Sequence, residues 1–304
     1  MATLAGSAGT APSVSWEIPR DKPFFLRIAK PWLKNPAGLI GLVIVAAFVV
    51  VAVIGPYVAP YDPRALDAQA RLQTPSGAHW LGTTQLGQDI FSRLIYGARL
   101  SLSFGLAVMI VGFIPGTALG IMSGYFGRWV DYAIQRSGEA WTAFPQLPIL
   151  LTVIAAVGPG LKAVVIVVAI SAIFGGSRLL RAVALIEKQK DYVIAARATG
   201  ASEWRLMVKY VLPNVMPYIL VGLSSVFALA ILAEATLSFL GLGVEQGTPG
   251  WGIDLAEGSR GGKGADFPHL VLFPGLAISI AVLGFNLLGD TLRDILDPRL
   301  RGST

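Results

Sequence analysis

Few residues in this sequence could carry out bond chemistry. Gly261-Gly262-Lys263-Gly264 has the composition of a phosphate-cradling loop, but Glu257 stands where that loop's first glycine belongs, and Gly264 where a serine or threonine would hold magnesium. No HExxH pair offers a zinc site, and no GxSxG turn presents a nucleophilic serine. The chain contains no cysteine, which removes disulfides, thiolate nucleophiles, iron–sulfur clusters and cysteine-based zinc sites. His79 and His269, the two histidines, lie far apart and read as loop hydrogen-bonding residues rather than metal ligands. No catalytic residue, metal ligand or cofactor of the chain's own is expected.

The strongest local signals fall in residues 187–213, EKQKDYVIAARATGASEWRLMVKYVLP. Residues 191–199 are rich in good helix formers, including Ala195, Ala196, Arg197 and Ala198, and Gly200 can take the left-handed conformation that ends a helix. Beyond Ala201, Ser202 can cap a second helix, with Glu203 favourably placed in its first turn. Pro213, after Leu212, suits the start of the following helix. A helix, a turn and a helix result. Small residues on the first helix would let another protein approach closely, with Trp204 and Arg205 as anchors in its groove; an amphipathic connector lying on a membrane surface is the competing reading.

Of the 304 residues, 54% are apolar and only 14% charged, with a mean hydropathy of +0.65. Such a composition excludes an ordinary soluble enzyme and a disordered chain, and the apolar residues come in long uncharged blocks. A helical crossing needs roughly 20 residues, and six blocks come near it: residues 35–61, 100–127, 140–161, 163–177, 210–233 and 270–289. The third carries Pro145 and Pro148, and the fourth is short and spans only if Lys162 and Arg178 snorkel. Six crossings place both termini on one side, and with both inside, 17 of the 24 Lys and Arg residues face the cytoplasm. The net charge of +6 thereby belongs to cytoplasmic loops near anionic lipid, and no nucleic-acid partner is expected. Residues 1–15 read as a tail rather than a signal peptide. The sequence thus predicts an all-α polytopic membrane protein. Its parts are a cytoplasmic segment 1–35, a first span 36–61, an extracytoplasmic loop 62–99, a five-helix core 100–290 with an outer loop 241–269, and a cytoplasmic tail 291–304.

Ala195-Ala196, then Gly200, Tyr210 and Leu212-Pro213, at their observed spacing, resemble the EAA motif of ABC importer permeases; Ile194 stands in place of that motif's glutamate. Further stretches extend the likeness. Lys34-Asn35-Pro36 through Tyr61-Asp62-Pro63 is similar to the N-terminal segment of the C-type permease of dipeptide, oligopeptide and nickel importers. HWLGTTQLGQDIFSRLIYGARLSL, from His79, is similar to that family's LGTDxxGRDxxSRxxxGxR pattern, with Thr84 and Gln88 in place of its Asp and Arg. Residues 231–243, Thr248-Pro249-Gly250-Trp251-Gly252, and Phe285-Asn286 through Asp297-Pro298-Arg299 continue the resemblance.

The resemblance implies a type I ABC importer permease fold in a prokaryotic inner membrane. Its implied partners are a homologous permease, two ATPase subunits that hold ATP and magnesium, and an extracytoplasmic solute-binding protein. The solute implied is a di- or oligopeptide, with nickel chelates or oligosaccharides as alternatives. Residues 191–213 would dock on the ATPases. Glu234 is the one carboxylate in an otherwise apolar run, where a charge at mid-bilayer costs about 2.5–3.5 kcal/mol, so it must face protein or water: it lines a gate or pathway, or it is a hydrogen-bonded strut. Asn286, near Asp290, poses the same choice. Trp251, Gly252 and Glu257 either contact a partner or pack the loop. An ion-coupled carrier acting alone would need more ionisable groups within the spans than Glu234.

Overall fold

A computed structural model describes Trp32, residues 35–158 and residues 160–296. The expected tail at residues 1–15, the basic residues before Asn35 and the Asp297-Pro298-Arg299 motif lie outside the described residues.

Three helices start at side-chain caps that the sequence supplies, Asn35, Asp89 and Ser202. In α1 (Pro36–Val58), the Asn35 side chain accepts from the backbone N–H groups of Ala37 and Gly38, at 3.0 and 3.3 Å, and Pro36 supplies a preset φ. The next helix, α2 (Ile90–Val108), begins ten residues before the uncharged block, because Asp89 accepts from the Ser92 N–H at 2.8 Å and caps it there. Through a π turn at Met109–Phe113 it runs on into α3 (Ile114–Phe126), so Ile90–Phe126 forms one long span.

The expected third crossing is broken. α4 (Arg128–Thr142) and α5 (Gln146–Val157) meet at 89°, with Pro145 extended between them, so residues 140–161 are not one straight helix. The expected short fourth span is instead 27 residues long, α6 (Leu161–Glu187). It continues past two arginines because each finds a partner: Arg181 meets Asp131 of α4 at 2.5 and 2.7 Å, and Arg178 donates to Thr142 Oγ1 at 3.1 Å. After α7 (Asp191–Ala198) and the single turn α8 (Glu203–Arg205), a π turn at Leu206–Val211 leads without a break into α9 (Leu212–Phe239). Two short helices, α10 (Trp251–Ser259) and α11 (Lys263–Asp266), precede the last span, α12 (His269–Leu296). Among the described residues, five spans are long and apolar enough to cross a membrane, and the bent α4–α5 pair makes six.

Packing follows small residues. Gly112, Gly116, Gly120 and Gly124 recur every fourth residue, and a Cβ on any of them would run into the α6 backbone at Ala169, Ile173, Ser177 or Arg181. This ladder lets two backbones touch where apolar area alone supplies little drive for association in lipid. Farther along, α9, α12 and α1 share an aromatic core: Phe227 stacks on Phe285 at 4.3 Å between ring centroids, and Phe48 meets Trp251 of α10 at 5.5 Å. The bundle has two ends, one carrying residues 187–213 and the other carrying residues 59–89 and 240–268. The Ile90–Phe126 span connects them.

Candidate functional site

At the first end, residues 191–213 fold as a two-helix element with one face in the core and one face open. Gly200 has φ +84° and its N–H bonds to the Arg197 carbonyl at 3.0 Å, while Ala201 N–H reaches the Ala196 carbonyl at 3.2 Å; together these close the left-handed helix end. Ser202 Oγ accepts from the Arg205 N–H at 3.4 Å and caps α8. Val193, Ala196, Leu206, Met207 and Val211 are buried against Ile121, Leu180 and Ala184 of α3 and α6. Ile194, Ala195, Arg197, Glu203, Trp204, Arg205 and Pro213 stay exposed, with Trp204 at 66%, and Leu212 is half-buried. An exposed tryptophan on an element braced from behind is a ready anchor for another protein. Ile194, at 53% exposure, puts an apolar group on the open face where the motif has a carboxylate.

Along the membrane-spanning flank of α6 and α9 lies a cavity of about 890 Å³. Small and hydroxyl residues such as Ser171, Gly175 and Ser225 line it beside Leu229 and Ala233, and Arg293 is the charged residue in its wall among the described residues. Neither gate candidate lies in this wall. Glu234 is fully buried between α2 and α9, accepting from Ser238 Oγ at 2.8 Å and Ser101 Oγ at 3.1 Å, so its contacts are those of a strut between helices. Asn286 is exposed and does not line the cavity.

The opposite end is organised around Arg93, which is 1% exposed. Its guanidinium donates through both Nε and Nη2 to a single oxygen, Oδ1, of Asp254 of α10, donates to Gln88 Oε1 at 2.9 Å, and reaches the carbonyls of Pro63 and Thr248 at 3.2 and 3.3 Å. Burial pushes the Asp254 carboxyl up to about 6 against the pull of the Arg93 guanidinium. Both departures from the family pattern are put to use. Gln88 supplies an acceptor for Arg93, and Thr84 Oγ1 accepts from the Leu86 and Gln88 N–H groups at 3.3 and 3.1 Å. Trp251 and Gly252, for which the sequence allows partner contact or loop packing, are buried within the chain: Trp251 Nε1 donates to the Leu94 carbonyl at 2.9 Å, and Gly252 lies against the Ala235 backbone. Glu257 is half-buried and its carbonyl accepts from Gln85 Nε2 at 2.9 Å. His79 Nδ1 lies 3.0 Å from Asp89.

Residues 116–302 match the family described as the binding-protein-dependent transport system inner membrane component, and residues 24–75 match the N-terminal transmembrane domain of oligopeptide transport permease C. The chain belongs to this family of multi-pass inner membrane permeases. It is 38% identical to the dipeptide transport system permease protein of Alkalihalophilus pseudofirmus, over 88% of each chain. With the glutathione transport system permease protein of Pectobacterium atrosepticum it shares 40% identity over 92% of this chain and 91% of that one. The di/tripeptide transport system permease protein of Pseudomonas aeruginosa is 41% identical over 88% of this chain and 90% of its own.

Proposed function

We propose that this chain is the membrane-spanning permease of an ATP-driven peptide importer, in which a homologous permease supplies the other half of the pathway. Two ATPase subunits, holding ATP and magnesium, dock on residues 191–213 from the cytoplasm, and an extracytoplasmic binding protein delivers the peptide at the Arg93 end. The chain itself hydrolyses nothing. The supporting observation is the docking element: buried on one face, open on the other around Trp204, and continuous with α9. Relatives that carry dipeptides, di/tripeptides and glutathione support the solute class. The cavity flanked by α6 and α9 is this chain's half of the pathway.

ATP can drive transport only by stabilising one conformation over another, so the docked contact must be firm and the element rigid. Trp204→Ala should remove an anchor worth about 2 kcal/mol, or roughly 30-fold in affinity for the ATPase subunits, read as loss of their co-purification with unchanged yield of the chain. Gly200→Leu acts differently. The position has open space around it, so the cost is the backbone strain of a side chain at φ +84°, about 1–2 kcal/mol. Uptake should fall while the complex still assembles. Normal peptide uptake into vesicles by the permease pair without ATPases would overturn the proposed function.

A further inference from the structure

The docking element touches more than the span that follows it. Tyr125, at the last turn of α3, is 5% exposed, and its ring sits in the cluster with Val193, Ala196, Leu206 and Met207. Its hydroxyl donates to Glu203 Oε2 of α8. Arg197 of α7 completes the triangle, with Nη2 3.2 Å from Glu203 Oε2 and 3.3 Å from the Tyr125 hydroxyl. One residue group therefore joins both short helices to the end of the second span. A second tie lies alongside: Lys188 Nζ donates to the carbonyls of Gly124 and Tyr125, at 2.7 and 3.1 Å, which have no helical acceptor duty left at that terminus. Beyond the clamp, the glycine ladder holds α3 against α6 backbone to backbone.

We propose that Tyr125, Glu203 and Arg197 are positioning residues that make α3 move with the docking element, so that force from the ATPases enters the second span as well as α9. This inference rests on the reading that ATPases dock on residues 191–213, and goes beyond it in naming a second line of transmission. Without the clamp, α7 and α8 could tilt against Tyr125 and pull on α9 alone through the π turn at Leu206–Val211. With it, tilting of the element must carry the end of α3, and α6 follows because the ladder leaves no room for sliding. The open faces of Trp204 and Arg205 remain available to the motor, since neither takes part in the triangle.

The absence of native cysteine allows a direct test in the complete transporter with cysteine-free ATPase subunits. A nitroxide at Met122→Cys reports on α3, and one at Met216→Cys on α9. Both should show an ATP-dependent displacement in the otherwise unchanged chain. Tyr125→Phe keeps the buried ring and deletes only the hydroxyl, so the fold is retained. It should reduce the displacement at Met122 by about threefold to tenfold, the equivalent of losing a partly exposed hydrogen bond to a charged group, and leave that at Met216 unchanged. Glu203→Ala should match it, Glu203→Gln should recover most of the response because it retains an acceptor, and the Tyr125→Phe/Glu203→Ala pair should be no worse than either single change. An undiminished displacement at Met122 in Tyr125→Phe and Glu203→Ala overturns the clamp, as does an equal loss at both labels. A complete transporter in which ATP moves neither label in the unchanged background overturns the docking reading itself.

Discussion

Replacing Arg93 with alanine should lower the stability of the permease by about 3–5 kcal/mol, the cost of leaving a buried ionised partner without its counter-charge. Arg93 is enclosed, and its five-donor fork is spent on Asp254, Gln88 and backbone carbonyls from the segments on either side. Its loss releases residues 59–89 and α10 together. The deficit should depend on pH. Without the guanidinium, the Asp254 carboxyl moves above about 6, further from its unfolded value. A group raised in the folded state contributes stability below its unfolded pKa and loses it as pH rises through the folded one. The loss should thus be smaller near about pH 5 than near about pH 8. Arg93→Met combined with Asp254→Leu should recover only part of it, because an apolar pair of similar volume removes both charges at once but leaves the Gln88, Pro63 and Thr248 oxygens without their donor. Thermal unfolding of the detergent-purified complex at the two pH values checks the sign and the rescue.

Gly116→Leu should be nearly as damaging, at about 3 kcal/mol, the upper part of the range for overpacking. Any Cβ there meets the carbonyl and Cα of Ile173, and backbone cannot rotate aside as a side chain can. The two helices must part along the ladder, and the cluster of Phe113, Ile121, Tyr125 and Leu180 opens with them. Gly175 offers the control. It lies in α6, two residues from Ile173 and so on another face of the helix, and has open space where its Cβ would be. Gly175→Ala should be neutral or stabilise by about 0.5–1 kcal/mol through helix propensity. Opposite signs for Gly116→Ala and Gly175→Ala, in unfolding midpoint and monodisperse yield, would tie the effect to the ladder rather than to glycine content.

What the sequence made legible was local. Gly200 and Ser202 are readable as a helix end and a cap because their reasons lie within a few residues, and the structure places both in those roles. The six apolar blocks are readable because lipid demands length and apolarity. Their edges were not, because edges depend on distant partners. A rule that stops a span at the first charge ends the fourth one at Arg178, while Asp131 and Thr142 carry the helix to Glu187. The same rule starts the second span at Leu100, although Arg93 lies inside the helix, neutralised by an aspartate 161 residues away. Pro145 and Pro148 were visible, yet nothing local sets the 89° between α4 and α5. Tyr125 and Asp254 gave no sign of their importance, since their partners are brought in by the fold. Glu234 was conspicuous for its charge, but its partners, Ser238 one turn along the same helix and Ser101 on α2, were not.

The wall flanked by α6 and α9 bears hydroxyls, glycines and aliphatic groups, with Arg293 as its charge among the described residues. A zwitterion passing along such a surface finds few fixed counter-ions to hold it, and so dwells briefly at each point. Passage favours weak, repeated contact over a deep well, because a site that grips must also let go before the cycle can close. On the proposed pathway, so few handles would admit cargoes of differing side chain at similar speed. Choice among them would then fall to whichever protein presents the cargo at the entrance.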